Sequence, residues 1–271
     1  MSAATCGSSP STTRSSSSSA GRPSNTSSRR PSGLPLYGWV YHARALTMHL
    51  RLPTLAFVCT GLLGAAIALI FFYAPTDANQ GFSQRIFYFH VPIALTSYAC
   101  FGWGAWKALR YLRTRDERAD LESYVAIHQG VIFGGLTLVT GSIWAKASWG
   151  VWWSWGEDQL VLFLVLFLFY CAYFMLRFSV DAGPARANMS AVYALFGVAL
   201  IPVSFLAIRL SRSFIHPIVF NSHGPQMAGS QFFTFCVSLA AMLALFATLY
   251  QVELAGKRVD AHVRELRELL A

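Results

Sequence analysis

Acidic residues are the scarcest chemical class in this chain. It has 12 Asp and Glu among 271 residues, none before Asp77, and charged residues make up 12% of the total. A soluble domain carries about 25% charged side chains. With a mean hydropathy of +0.45, this deficit excludes an ordinary soluble globular class. Cysteine is sparse and unpatterned. The five cysteines form no C-x-x-C and no C-x-x-C-H, which excludes a vicinal thiol redox pair and covalent attachment of a c-type haem. Cys59, Cys100, Cys171 and Cys236 fall inside apolar runs, where small buried thiols are expected; Cys6 lies in the N-terminal tail. No internal repeat marks a solenoid or propeller.

Charge is missing where it matters most. Six runs, approximately Thr54–Tyr73, Ile86–Trp106, Tyr124–Trp144, Gln159–Leu176, Met189–Ile208 and Phe232–Tyr250, contain no Asp, Glu, Lys or Arg. A bilayer core of about 30 Å takes about 20 helical residues to cross, and one charge at a helix centre costs about 2.5–3.5 kcal/mol. The expected fold is an all-α integral membrane protein with six transmembrane helices. Its net charge of +9 would suit nucleic acid, but the distribution argues against that. Counting outward from a cytoplasmic N-terminus, 17 of the 21 Lys and Arg fall on the inner side. Arg85, Lys146, Arg209 and Arg212 are left for the outer loops. This positive-inside bias puts both termini in the cytoplasm. It puts the connection after the third run, with its tryptophan cluster, on the outer face, together with His90, His216 and His223.

Three regions follow. Residues 1–47 are rich in Ser and Arg with little apolar content, so disorder is expected. Such a leader is either an organellar transit-type segment or an upstream extension of a chain whose functional start is Met48. Residues 48–252 form the six-helix domain. Residues 253–271 are a charged tail of helical pattern in which, with Leu254 just past the boundary, Val263, Leu266, Leu269 and Leu270 share one face.

What the sequence does have is tryptophan. Trp144, Trp149, Trp152, Trp153 and Trp155 crowd into twelve of its residues, and only three other Trp occur elsewhere. An interfacial belt accounts for one or two per helix end. Five suggest an aromatic shelf for a large planar ligand. His90, followed by Val91-Pro92, opens the second run, and His216-Pro217 lies in the last outer loop. Two outer imidazoles near aromatic rings suit the axial demands of a haem iron; the plainer reading of each is an interfacial polar anchor. Arg85 could hold a propionate bidentately or snorkel at the interface, and Arg209 and Arg212 are further candidates. Glu157 and Asp158 could order the loop or cap the fourth helix, and capping fits the helix dipole better. His223 reads as a loop residue, and His128 as a histidine bonded to a neighbouring helix backbone.

Three segments together carry a family resemblance. Gln80-Gly-Phe-Ser-Gln-Arg-Ile-Phe-Tyr-Phe-His-Val-Pro92, Thr137-Leu-Val-Thr-Gly-Ser-Ile-Trp144 and Trp149-Gly-Val-Trp-Trp-Ser-Trp155 resemble the CcmC family of haem exporter proteins in cytochrome c biogenesis. That family belongs with CcmF and CcsA among haem handlers with a tryptophan-rich (WWD) outer domain. The resemblance spans roughly Thr54 to Val252. It implies an outward haem site with axial ligands at His90 and His216 and the five tryptophans as platform. It implies non-covalent, transient haem b, presentation to a CcmE-like haem chaperone, and CcmA- and CcmB-like ABC subunits with a CcmD-like small membrane protein as partners. Two departures stand out. The family loop ends Trp-Asp, whereas Trp155 is followed by Gly156-Glu157-Asp158; and no Trp pair precedes His216.

A haem-handling protein of cytochrome c maturation, not an enzyme, is therefore expected, in a bacterial plasma (inner) membrane or an organellar inner membrane. Two other classes stand beside it. A permanent b-type haem redox protein needs histidine pairs deep within the spans. An ABC-type permease subunit needs polar side chains near the midplane, which the six runs lack.

Overall fold

The computed structural model describes residues 52–78, 80–210, 220–221, 224–225 and 227–270. Within them the chain folds as six long helices: α1 Leu52–Tyr73, α2 Phe87–Thr114, α3 Glu117–Trp149, α4 Asp158–Ser179, α5 Pro184–Leu210 and α6 Gly229–Leu270. A two-residue antiparallel pairing, Phe220–Asn221 with Gly224–Pro225, lies between α5 and α6. The leader and Met48 lie outside the described residues. Large apolar side chains face outward along the helices, including Phe57, Phe72, Met175, Phe178 and Phe196. A surface like that needs lipid. The chain is a multi-pass membrane protein.

Five helices, α1 and α3 to α6, are long and apolar enough to cross a membrane. The sequence suggests six comparable spans; the structure shows how the second differs. His90, Pro92, Thr96 and Ser97 dilute the apolar content of α2. That helix packs against α3, α5 and α6, so protein, not lipid, surrounds its polar groups. Thr96 and Ser97 are fully buried, and the Ser97 hydroxyl donates to the Gly130 carbonyl at 3.0 Å.

The α2–α3 hairpin is the frame of the molecule. Arg115 ends α2 in the left-handed conformation (φ 57°), its N–H bonded to the Tyr111 carbonyl. Asp116 starts α3 by accepting the Arg118 N–H at 3.0 Å. A two-residue link forces the helices antiparallel, and glycines bring them close. A Cβ on Gly104 would sit 2.7 Å from Ile127, one on Gly130 2.5 Å from Phe101, and one on Gly141 2.9 Å from the His90 ring. As the α2 partner moves from Gly104 back to His90, the α3 partner advances from Ile127 to Gly141 by equal steps. One fixed register therefore runs from the link to His90.

Around this frame α4 and α5 pack through aromatics. Tyr170 stacks on Phe101 with centroids 3.7 Å apart, and its ring meets α5 at Gly197, where a Cβ would approach it to 2.6 Å. At the linked end of the hairpin, ion pairs tie the helices together. Arg177 of α4 grips Asp120 of α3 with two bonds of 2.8 and 2.6 Å, and Lys107 of α2 pairs with Glu122 at 2.6 Å. Glu253 of α6 takes His128 Nδ1 at 2.9 Å and Gln129 Nε2 at 2.6 Å. The partner of His128 is thus a carboxylate, not a helix backbone: α6 continues past its apolar run and brings Glu253 alongside. The charged tail is the helical continuation of α6. Leu254 is buried, while Val263, Leu266, Leu269 and Leu270 are exposed. Cys59 and Cys100 are buried as expected, Cys171 is half-buried and Cys236 is exposed.

Candidate functional site

The candidate site is built where the hairpin opens, at the end opposite its link. The last turn of α1 widens into a π-turn over Leu69–Tyr73. A turn then closes on Asp77, whose side chain accepts the Gln80 N–H at 2.8 Å and whose carbonyl accepts from Gly81 at 3.0 Å. Gly81 has a φ of 55°, favourable for a residue without Cβ. A 3-10 turn, Phe82–Ile86, feeds directly into α2.

Arg85 lies in that turn. Its guanidinium donates to the Ile70 carbonyl and rests over the rings of Phe71 (5.6 Å) and Phe82 (5.2 Å). Helix ends leave carbonyls without intrahelical partners, and a cation there is favourable. Arg85 thus fastens the end of α1 to the start of α2. This role was not legible in sequence, because nothing local pairs Arg85 with Ile70. One such bond occupies one of five guanidinium N–H groups.

His90 is the fourth residue of α2 and half-buried. Its Nδ1 lies 2.9 Å from the Thr140 hydroxyl of α3. The ring's Cε1 edge nests against Gly141, and the Trp144 indole lies 5.7 Å away at a tilt of 56°. Thr140, Gly141 and Trp144 share one face of α3, being at i, i+1 and i+4. Below them Phe87 packs edge-on to Trp144 at 6.4 Å and against Phe235 at 5.7 Å. His90 therefore stands on a packed aromatic floor made by α2, α3 and α6.

The five tryptophans do not form one flat shelf. The third helix runs further than its apolar run, to Trp149, and stops at Gly150 (φ 78°), whose N–H returns to the Lys146 carbonyl. Trp144 is thereby buried in the helix, 5% exposed, and Trp149 is its half-buried last residue. Trp152, Trp153 and Trp155 remain in the loop. Trp152 and Trp155 are 59% and 74% exposed. Trp153 is half-buried and meets Trp155 edge-on, at 5.7 Å and 69°. The Trp153 indole N–H is buried with no acceptor among the described residues.

Glu157 is 4% exposed and occupies the N-cap position of α4. Its side chain makes no capping bond; its backbone carbonyl accepts from Leu160 and Val161. Asp158 is exposed in the first turn of α4, where negative charge complements the helix dipole. His216, His223 and Arg212 lie outside the described residues, as does the side chain of Arg209. Thr140 and Gly141 were missed as site residues. Their signal was a Thr-Gly pair one turn before Trp144 in an uncharged run.

These residues fit a planar, iron-bearing macrocycle. A half-buried imidazole, exposed indoles and an unsatisfied buried N–H supply an axial donor, apolar contact area and a polar contact. Residues 40–269 match the family described as "Heme exporter protein C". A heme exporter protein C of Paracoccus denitrificans is 29% identical over 202 residues, covering 74% of this chain and 82% of the relative. That of Bradyrhizobium diazoefficiens is 29% identical over 223 residues, covering 82% of each. A ccmC-like mitochondrial protein of cytochrome c biosynthesis from Marchantia polymorpha is 28% identical over 195 residues, covering 72% of this chain and 82% of the relative.

Proposed function

Because this chain belongs to the heme exporter protein C family, a haem-handling membrane family of cytochrome c biogenesis, we propose that it binds haem at its outer face and presents it to a CcmE-like chaperone. Haem here is cargo. It is held transiently and without a covalent bond, as haem b, between His90 and His216, and no reaction is catalysed on it. The observation that carries this reading is the setting of His90: a half-buried imidazole in the first turn of α2, oriented by Thr140 and floored by Trp144.

The chemistry follows from position. An imidazole at a helix start, near the membrane surface, can bind an iron whose macrocycle edge is reachable from outside. Two ligands buried in the bundle would instead make a permanent electron-transfer site. Exposed Trp152 and Trp155 give the porphyrin apolar area outside the bundle, and the Trp153 N–H offers a donor to a propionate. Trp144 and Trp149 complete the platform from the end of α3. Arg85, Glu157 and Asp158 orient this surface, Arg85 by holding α1 to α2 while keeping further N–H groups for a propionate. Separate parts of the chain supply the two histidines, His90 from the first turn of α2 and His216 from the sequence between α5 and α6.

Six transmembrane helices with both termini cytoplasmic fit the charge bias of the sequence, with 17 of 21 basic residues on the inner side. The inner membrane of a bacterium is the proposed location, and an organellar inner membrane is the other. CcmA- and CcmB-like ABC subunits and a CcmD-like small protein are the proposed partners. The permanent b-type reading draws no support from His128. That histidine, the one described deep in a span, is bonded to Glu253.

An absorption spectrum of the purified, haem-supplemented protein tests the proposal. His90→Ala and His216→Ala are each expected to weaken or shift the Soret band, and the double variant to abolish it. A full haem complement in the double variant would reject the outer-ligand site.

A further inference from the structure

The geometry of Thr140 and Gly141 decides which nitrogen of the His90 imidazole carries the proton. The Thr140 hydroxyl has one proton and two lone pairs. Its Oγ1 lies 2.8 Å from the Leu136 carbonyl, one turn earlier on α3, and 2.9 Å from His90 Nδ1. A carbonyl can only accept, so the single hydroxyl proton goes to Leu136, the usual back-bond of a helical threonine. The opposite assignment would leave two acceptor oxygens facing each other at 2.8 Å. With its proton spent, Oγ1 is an acceptor toward the ring, and Nδ1 must carry the hydrogen.

We propose that Thr140 is the positioning residue of the haem ligand: it locks His90 as the Nδ1–H tautomer, so that Nε2 bears the lone pair for iron, while Gly141 leaves the space in which the ring is held. This rests on the reading of His90 as a haem ligand. The Cβ that Gly141 lacks would stand 2.9 Å from Cε1, the ring carbon between the two nitrogens, so the ring is fixed by a hydrogen bond on one side and backbone contact on its edge. The identity of the acceptor matters as well. Metal-bound histidines are commonly tied to carboxylates or backbone carbonyls, which increase their basicity. A threonine hydroxyl is a weaker acceptor. It orients the imidazole while leaving it a modest donor, which suits a cargo that must leave.

The test uses the full chain loaded with haem, reading midpoint potential and haem loss to excess apomyoglobin. Thr140→Val keeps the shape and removes the acceptor. It is expected to raise the potential, since a less electron-rich imidazole stabilises ferric iron less, and to speed haem loss by roughly tenfold, the low end of outer-shell effects on metal affinity. Thr140→Ser should restore both values. Wild-type potential and release rate in Thr140→Val would overturn the proposal. A reading that needs no variant at Thr140 is the 15N spectrum of the His90 ring in the haem-free chain. A protonated Nδ1 and an unprotonated Nε2 are expected, and the reverse tautomer would overturn it. A His90→Gly chain separates this from the underlying reading. If it binds haem with the wild-type spectrum, His90 is not the ligand and both ideas fall; if haem ligation is lost and returns with added imidazole, the ligand stands and Thr140 is judged on the other two measurements.

Discussion

The two ends of the α2–α3 hairpin are built from different chemistry. At the linked end, Arg177–Asp120, Lys107–Glu122 and His128–Gln129–Glu253 clasp four helices through charge. At the open end, Phe87, Trp144, Phe235 and the His90 ring pack by shape, with Arg85 laid over Phe71 and Phe82. A buried ion pair is rigid because separating it strands a charge. Aromatic packing tolerates small shifts and leaves faces for a ligand. The linked end holds the bundle together; the open end can bind and release.

That contrast can be broken most severely at Arg177. Arg177→Ala strands the Asp120 carboxylate and is expected to cost about 3–5 kcal/mol, seen as a large drop in the thermal midpoint in detergent. The folded fraction should keep its haem spectrum. Next comes the register between the ends. Gly130→Ala would press a methyl to 2.5 Å from Phe101, an overpacking worth about 1–3 kcal/mol, and should weaken both stability and haem binding. Should haem binding survive while stability falls, the hairpin does not transmit register to His90.

Gly141→Ala sharpens the comparison, because its clash is with the rim of the imidazole. Haem occupancy is expected to fall well below wild type, with a stability loss of about 1 kcal/mol, at the low end for overpacking. His128→Ala should do the reverse, costing about 1 kcal/mol through the loss of one of the bonds to Glu253, while Gln129 keeps the other, and leaving the Soret band in place. The smallest effect on stability belongs to Trp152→Ala with Trp155→Ala. These exposed rings should change unfolding by no more than about 0.5 kcal/mol, yet slow haem transfer to a purified CcmE-like acceptor. Unchanged transfer would reduce the loop to an interfacial anchor.

How much of this was legible beforehand varies with the range of the interaction. The apolar runs predicted the helices well, since a span is a local property of some twenty consecutive residues. Its ends were less legible: α3 outlasts its apolar run because Gly150 and its cap stop the helix, not the last apolar residue. Of the site, His90 and the tryptophans were visible as residue types in a cluster. That Trp144 is buried in the helix while Trp152 and Trp155 are exposed was not visible, since one helix-terminating glycine divides them.

By itself the sequence determined the class of the protein: a membrane bundle with its Lys and Arg outside the apolar runs, an aromatic segment and histidines near it, because composition and hydropathy act residue by residue. Only the tertiary structure decided which groups meet. His128 found Glu253 across 125 positions, Arg85 found the end of α1, and His90 found Thr140 across 50. Those meetings depend on which helix faces can approach. Here the approach is set by glycines whose missing side chains matter only once a second helix lies against them.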